Sequence, residues 1–357
     1  MRKMFDESEM QIIGEYKPMM GFFGKMQPAY PKYNRPVTPK GNFEMIKRGE
    51  VPYWIPNLLA DANLIHPLVM PDASARAYGG VDWFGIEWQM EDLTGAPMVK
   101  PGTRRLSDIT NWKEELPIPD VDSIDWEKDY KENYEKYMYD DRPSIFLIVN
   151  GYFERIADLT SFEDAFCYLL EEPEALDEFY TALDDFHMGL IRVAKEVYHC
   201  DMIVMHDDMG SQRSPFFSPS LFREIMMPHY KKITSYAHEL GMLYALHSCG
   251  CVGTHIPLFI VSGFDAWEGQ RNCNDMKCLI GDYGRMFQIG NERLPGGTDE
   301  EVNAYIHNLI DTMGFSGRYM LRLGDTPERY VKSHEEMYRY SRKLMDDLAA
   351  QQEKATA

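Results

Sequence analysis

Four short runs concentrate the side chains able to do acid–base or metal chemistry: His206-Asp207-Asp208, His247-Ser248-Cys249-Gly250-Cys251, Trp267-Glu268-Gly269-Gln270 and Arg322-Leu323-Gly324-Asp325. On a strand His247 and Cys249, two residues apart, project to the same face, about 6.5–7 Å apart along the chain. A zinc ion bound at roughly 2.1 Å to nitrogen and 2.3 Å to sulfur bridges that gap with modest side-chain adjustment. Gly250 lets the backbone turn just after, and Glu268, ending the next expected strand, can bring a carboxylate oxygen to the same place. The competing account is a chance spacing with a buried thiol. Cys251 shares the face only if the strand runs on past Gly250, and Cys273 and Cys278 read as packing residues near a helix start.

The other run offers carboxylates. Strand alternation puts His206 and Asp208 on one face and Asp207 on the other. A carboxylate buried at the end of a strand has a raised pKa and can act as a general acid or orient a polar substrate group. Asp208 is the candidate, with His206 beside it; the alternative is that these aspartates cap the following turn. Glu154, just past Asn150-Gly151-Tyr152-Phe153, is either a second carboxylate of the site or a partner of Arg155 on the rim. Phe216-Phe217, Trp83-Phe84, Trp88 and Met226-Met227 also fall near expected strand ends or helix starts. Most belong in a core, but a few of them would make a pocket for a flat, apolar ligand.

These runs need a scaffold that gathers strand ends. Expected strands cover residues 52–56, 83–88, 144–150, 202–208, 243–249, 264–268, 286–290 and 319–323. Between them lie helices with explicit punctuation. After Pro173, Leu176, Phe179, Leu183, Phe186, Leu190, Val193 and Val197 recur at three- and four-residue steps. Ser218-Pro219 and Thr326-Pro327 read as helix starts, Thr298 with Glu301 as a capping box, and Gly241 as a stop. Eight apolar strands alternating with helices predict an α/β fold, a closed (β/α)8 TIM barrel, whose function collects at the carboxyl ends of the strands. An open doubly wound sheet is the alternative. Residues 1–41, rich in Met, Gly, Pro and Tyr, read as an irregular N-terminal arm, residues 42–348 as the barrel and 349–357 as a frayed tail.

Composition narrows the function further. Among 357 residues, 57 Asp and Glu outnumber 37 Lys and Arg, giving a net charge of −20. Such an excess opposes a phosphate backbone, and no basic stripe offsets it, so nucleic acid is excluded as a partner. No apolar run approaches the ~20 residues of a membrane span. The N-terminus lacks the apolar stretch of a secretion signal, and six cysteines are sparse for this length, so a cytoplasmic location is expected. Phosphate-cradling glycine loops and a serine nucleophile elbow are both missing.

The stretch His206-Asp-Asp-Met-Gly-Ser-Gln-Arg-Ser-Pro-Phe-Phe-Ser-Pro-Ser-Leu-Phe-Arg-Glu224, followed by Leu246-His-Ser-Cys-Gly250, resembles the uroporphyrinogen decarboxylase superfamily. Within it, the closer resemblance is to the corrinoid-dependent methyltransferases of anaerobes. It runs from about residue 42 through residue 340 and includes Gly80-Val-Asp-Trp-Phe-Gly-Ile-Glu-Trp88 and Val99-Lys-Pro-Gly102. The resemblance implies a (β/α)8 barrel and a zinc site that binds the methyl donor or acceptor. Its pattern is His-x-Cys at one strand end, often a Glu at the next, and a Cys near the last strand. His247, Cys249 and Glu268 match the first three positions. Where a Gly-Cys-Gly is expected the chain reads Leu323-Gly324-Asp325, so either Asp325 supplies an oxygen or Cys251 or Cys273 completes the set.

A thiolate-poor site is a harder Lewis acid and suits an oxygen-bearing substrate better than a thiol. The resemblance thus implies O-demethylation of a methyl ether, a methoxylated aromatic foremost, with Asp208 assisting proton delivery to the departing phenolate. The methyl group passes to the Co(I) of a separate corrinoid protein, because no cobalamin-binding module is visible in this chain. Two alternatives stand beside it. A uroporphyrinogen decarboxylase-like enzyme is disfavoured, because residues 21–39 lack that family's arginine-bearing arm. A non-catalytic barrel that carries a small molecule would need no zinc. A homodimer built through the arm is the expected assembly.

Overall fold

The computed structural model describes residues 2–283 and 286–356. In chain order its strands are β1 (Ile12–Tyr16), β2 (Met19–Met20), β3 (Met26–Gln27), β4 (Tyr30–Tyr33), β5 (Asn63–Ile65), β6 (Gly80–Val81), β7 (Glu87–Met90), β8 (Pro97–Val99), β9 (Ser144–Ile148), β10 (Met202–His206), β11 (Leu243–Ser248), β12 (Ala266–Gly269), β13 (Phe287–Arg293) and β14 (Tyr319–Gly324). Seven of them form one sheet in the order β5-β9-β10-β11-β12-β13-β14, every neighbouring pair parallel. The order never reverses. A doubly wound sheet reverses at a switch point, so this single-direction winding with helical crossovers is α/β and TIM-like.

Strand parity explains the curl of the sheet. Ile145, Leu147, Val204, Ala245, Ala266 and Ile289 pack together on the inner face. Their alternates Phe146, Ile148, Ile203, Tyr244, Leu246 and Leu321 pack outward against helical residues such as Leu176, Phe179 and Leu183. Burial on both faces is what makes these strands near-continuous apolar runs. The apolar stripe after Pro173 is a helix over Pro173–Glu196, and Thr298 and Glu301 form the reciprocal capping box at Asp299–Met313.

Two expected strands are not strands of this sheet. Residues 52–56 bend at Tyr53 and Trp54; only the Pro56 carbonyl reaches β14, accepting from the Leu321 N–H at 2.9 Å, and the next residue, Asn57, makes a single bridge with Leu321. Prolines at 52 and 56 have no N–H to give a ladder, and the amides of Tyr53 and Trp54 go to the Asn42 side chain instead. The one-turn helix Leu58–Asp61 then leads directly into β5, so one stretch of chain links the two edges of the sheet. Of residues 83–88, the first four form a turn and Glu87 and Trp88 begin β7. The Asp82 carboxylate accepts from the Phe84 and Ile86 amides and from the Trp88 indole, Gly85 takes φ +82°, and β6, β7 and β8 form a separate antiparallel sheet.

Both ends of the chain are more ordered than expected. The arm pairs β1 with β4 and β2 with β3, both antiparallel, and the last helix runs Tyr330–Thr356, through residues read as a frayed tail. That helix begins three residues after Pro327, following a turn. No helix among the described residues is long and apolar enough to cross a membrane.

Candidate metal centre

Register places the chemistry. His206 lies opposite His247, and His247 opposite Glu268, so three polar side chains occupy one layer of the inner face at its carboxyl end. Asp208 and Cys249 follow two residues later on their chains. The His206 and His247 rings stack, with centroids 3.9 Å apart and planes 15° from parallel.

One oxygen of Asp208, one ring nitrogen of His247 and the Cys249 sulfur lie within 4.8 Å of one another. The sulfur is 3.5 Å from His247 Nε2, and Asp208 Oδ1 is 3.8 Å from that nitrogen. The edges of a tetrahedron around zinc with such ligands are ~3.4–3.8 Å, so nitrogen, sulfur and oxygen already stand near ligand separation. The Cys249 amide donates to Asp208 Oδ1 at 2.7 Å, which ties the two loops together. Gly250, at φ +89°, makes the close approach: any side chain there would overlap the Gly210 backbone.

Glu268 stands behind this group. Its Oε1 lies 3.4 Å from His247 Nδ1, on the opposite side of the ring from Cys249, and it accepts from Arg322 Nη1 at 2.8 and 3.0 Å. Nδ1 makes no hydrogen bond at that distance, but the carboxylate charge beside it favours a proton there, and Nε2 is the nitrogen that faces Asp208 and Cys249. Burial would raise the Glu268 pKa, yet Arg322 and His247 hold it down to about 2. Burial alone would also discourage a charge on His247, but Cys249, Glu268 and Asp208 around it raise its pKa well above the ordinary value. A positive charge is favoured here.

The structure redistributes several expected roles. Asp208, expected as an acid, sits with His247 and Cys249; Glu268, expected as a ligand, supports His247 instead. Asp325 is not brought to the group: Arg329, one helical turn on, pairs with it at 2.8 Å, and Ser333 and the Thr326 amide also donate to it. Cys273 lies against Gln270, 3.7 Å from its Oε1. Asp207 faces outward, wholly buried, and accepts from the Tyr152, Phe153 and Glu154 amides and from the Tyr230 hydroxyl. It thereby fixes the start of the Tyr152–Leu159 helix.

Glu154 is not a rim partner of Arg155, which is fully buried between Asp72 and Asp82. Burial, and then the charge of Asp208, push the Glu154 carboxyl well above its usual range, and its Oε2 is buried without a partner. His206 is pushed well below its usual value, first by burial and then by His247.

Beside His247, Cys249 and Glu268 opens a cleft of about 500 Å³, lined otherwise by Gln270, Arg271, Asn272, Asn291 and Glu292. This lining is polar. The aromatic residues expected at the site are core: Phe216 and Phe217 pack on Phe153, and Trp83 and Phe84 on Phe186. The aromatic residues that do approach the site come from the arm. Phe23 lies edge-on to His206 at 5.6 Å, and Phe22 lies 5.4 Å from the Arg322 guanidinium. The glycine-bracketed pair Gly21-Phe22-Phe23-Gly24 was the available signal for them. His66, one residue beyond β5, was missed for want of a recognisable pattern.

No family model matches the chain, and no curated protein matches it. Among solved structures, a methyltransferase from Methanosarcina mazei is similar over 87% of this chain and 99% of its own, at 17% identity and a TM-score of 0.55. A sugar phosphate isomerase/epimerase from Parabacteroides distasonis matches over 72% of this chain and 83% of its own, at 12% identity and a TM-score of 0.31. The likeness to the methyltransferase, end to end in that protein, is a likeness of fold.

Proposed function

We propose that this chain is a metal-dependent methyltransferase of the uroporphyrinogen decarboxylase-like (β/α)8 type, taking a methyl group from an oxygen-bearing donor to the Co(I) of a separate corrinoid protein. The observation that carries this reading is the convergence of Asp208, His247 and Cys249 within ligand separation, with Glu268 set behind the imidazole. The fold shared with a methyltransferase supports it. Oxygen, nitrogen and sulfur are a donor set that zinc accepts, and the cleft beside them leaves room for a substrate atom.

Bound there, zinc would supply Lewis acidity toward the donor's oxygen. The chain does the rest. Glu268 and the stacked His206 hold the His247 ring, and Gln270 and Asn291 offer polar contacts to the substrate from the cleft wall. As the O–CH3 bond breaks, the methyl group leaves without its bonding pair, and the alcohol or phenol oxygen needs a proton. Burial, and then the charge of Asp208, favour the neutral carboxyl of Glu154, and we assign it the delivery of that proton. The polar cleft favours a compact methyl ether over a large flat ring.

The test is metal content, then turnover. Purified protein should carry about one zinc, and with reduced corrinoid protein it should form methyl-cobalt from at least one donor among methoxybenzoates, methoxyacetate and methanol. A Cys249→Ser protein that turns over as well as wild type would sink the reading. A metal-free protein that binds these donors without turnover would favour a carrier.

A further inference from the structure

The β2–β3 hairpin pairs Met19 with Gln27 and Met20 with Met26, and at its base the Gln27 side chain donates to the Leu59 carbonyl at 3.0 Å and accepts from the Leu64 amide at 3.4 Å. Its tip, residues 21–25, is seated on the inner face of the sheet. Phe22 is 6% exposed and packs among inner-face residues such as Leu64 and Ile145. Phe23 adopts φ +55°, ψ +36°, a left-handed conformation that a bulky aromatic residue resists. Among the described residues, the tip's one hydrogen bond to the body runs from the Phe23 amide to Nδ1 of His66, just past β5, at 3.0 Å.

That bond fixes the state of His66. Because Nδ1 accepts, the neutral ring carries its proton on Nε2, and this donor is buried with no acceptor. His66 is 0% exposed. Two more buried polar atoms near the tip have no partner, His206 Nε2 and Arg322 Nε, and Phe23 contacts both the His66 and the His206 ring. Burying unpartnered polar atoms on residues packed against two aromatic rings is costly, and a ligand oxygen that reached them would relieve that cost. A groove of about 640 Å³ runs along the hairpin's flank, between Met19, Met20 and Met26 on one side and Leu68, Asp129, Glu132 and Tyr134 on the other, so there is open space beside the tip.

We propose that residues 21–25 are a displaceable plug, and that its withdrawal uncovers a polar subsite, made by the His66 imidazole, His206 Nε2 and Arg322 Nε, for a small oxygen-rich ligand. Arg322 Nε is an N–H donor in every state, and each histidine can present a ring N–H once the Phe23 amide no longer donates to His66 Nδ1, so the ligand presents acceptor oxygens, as a carboxylate or a vicinal hydroxyl does. The proposal rests on the function above only in choosing a methyl ether as probe.

Three measurements on the full chain test it. In wild type, deuterium uptake over residues 19–27 should precede uptake over β9 by at least a hundredfold in rate; uptake only with global unfolding overturns the plug. Diethyl pyrocarbonate should acylate His66 at least tenfold faster in Phe23→Ala than in wild type, read by peptide mass spectrometry. An unchanged rate in a folded variant overturns the gating. Saturating methoxyacetate should slow that acylation at least threefold in Phe23→Ala, and methoxyethane, with its single ether oxygen, should not. Equal protection by both, or by neither, overturns the oxygen-reading subsite. Zinc content of the same samples reads the metal centre separately: a zinc-free protein whose His66 is still gated by Phe23 keeps the plug and loses the proposed methyl transfer.

Discussion

Each side chain at the centre has a chemistry that a single substitution can isolate. Cys249→Ser and His247→Ala each remove a donor atom, and zinc affinity should fall at least a hundredfold in both, measured by competition with a chromogenic chelator. Glu268→Gln leaves the donor atoms in place and removes the negative charge 3.4 Å from His247 Nδ1. Its zinc affinity should fall by about 10–100-fold, the range for groups that orient a metal-ligating histidine. A fall as large as that of Cys249→Ser would make Glu268 a ligand after all. The sequence disclosed His247 and Cys249 because alternation on one strand is a local property. It did not disclose which side of the imidazole Glu268 would face, since that depends on the stagger between β11 and β12. Nor did it show that Asp208 would cross from the β10 end to reach them. Asp325, one of the alternatives for completing the set, is drawn away by a partner visible in the sequence, the arginine four residues on.

At the scale of elements, the strands with two buried faces were legible because their apolar runs and turn residues say the same thing. The segments that failed were those where side-chain hydrogen bonds compete with the ladder. Asp82 draws residues 82–86 into a turn, and Asn42 takes the amides of residues 53 and 54. Asn57 is a third such residue, and it supports the link between the sheet's edges. Its Oδ1 accepts from the Leu323 amide at 3.1 Å and the Leu59 amide at 3.3 Å, and the residue is 1% exposed. Asn57→Ala strands two amides, and each buried unpaired donor costs about 1–3 kcal/mol. Urea unfolding should therefore show a loss of about 2–4 kcal/mol; a loss under about 1 kcal/mol would mean that the edges do not depend on this contact.

For the whole molecule, acid stability is a balance between buried groups of opposite sign. His187 is 0% exposed, with both ring nitrogens unpartnered and Tyr152 edge-on at 5.1 Å. Burial, helped by the nearby Arg155 charge, holds its imidazole down to about 3. In the unfolded chain the same ring titrates near pH 6.5. Below that pH the unfolded state binds a proton that the folded state refuses, so stability is intact above about 6.5 and falls as the pH drops toward 3. His66 and His334, held down by burial to about 3 and about 4, act in the same direction. Asp158 and Asp207, which burial raises to about 6, act in the other: between pH 6 and 4 they take up protons in the folded state first, and acid stabilises it. The wild-type curve therefore partly cancels over that range, and a difference between two proteins isolates one group. His187→Phe removes the refusal and keeps an aromatic ring against Tyr152. At about 1.4 kcal/mol per pH unit, the variant should gain about 2 kcal/mol on wild type between pH 7 and pH 5, whatever its offset at pH 7. Urea melts of both proteins at the two pH values measure this, and a difference that does not change with pH would show that His187 is free to protonate in the folded protein.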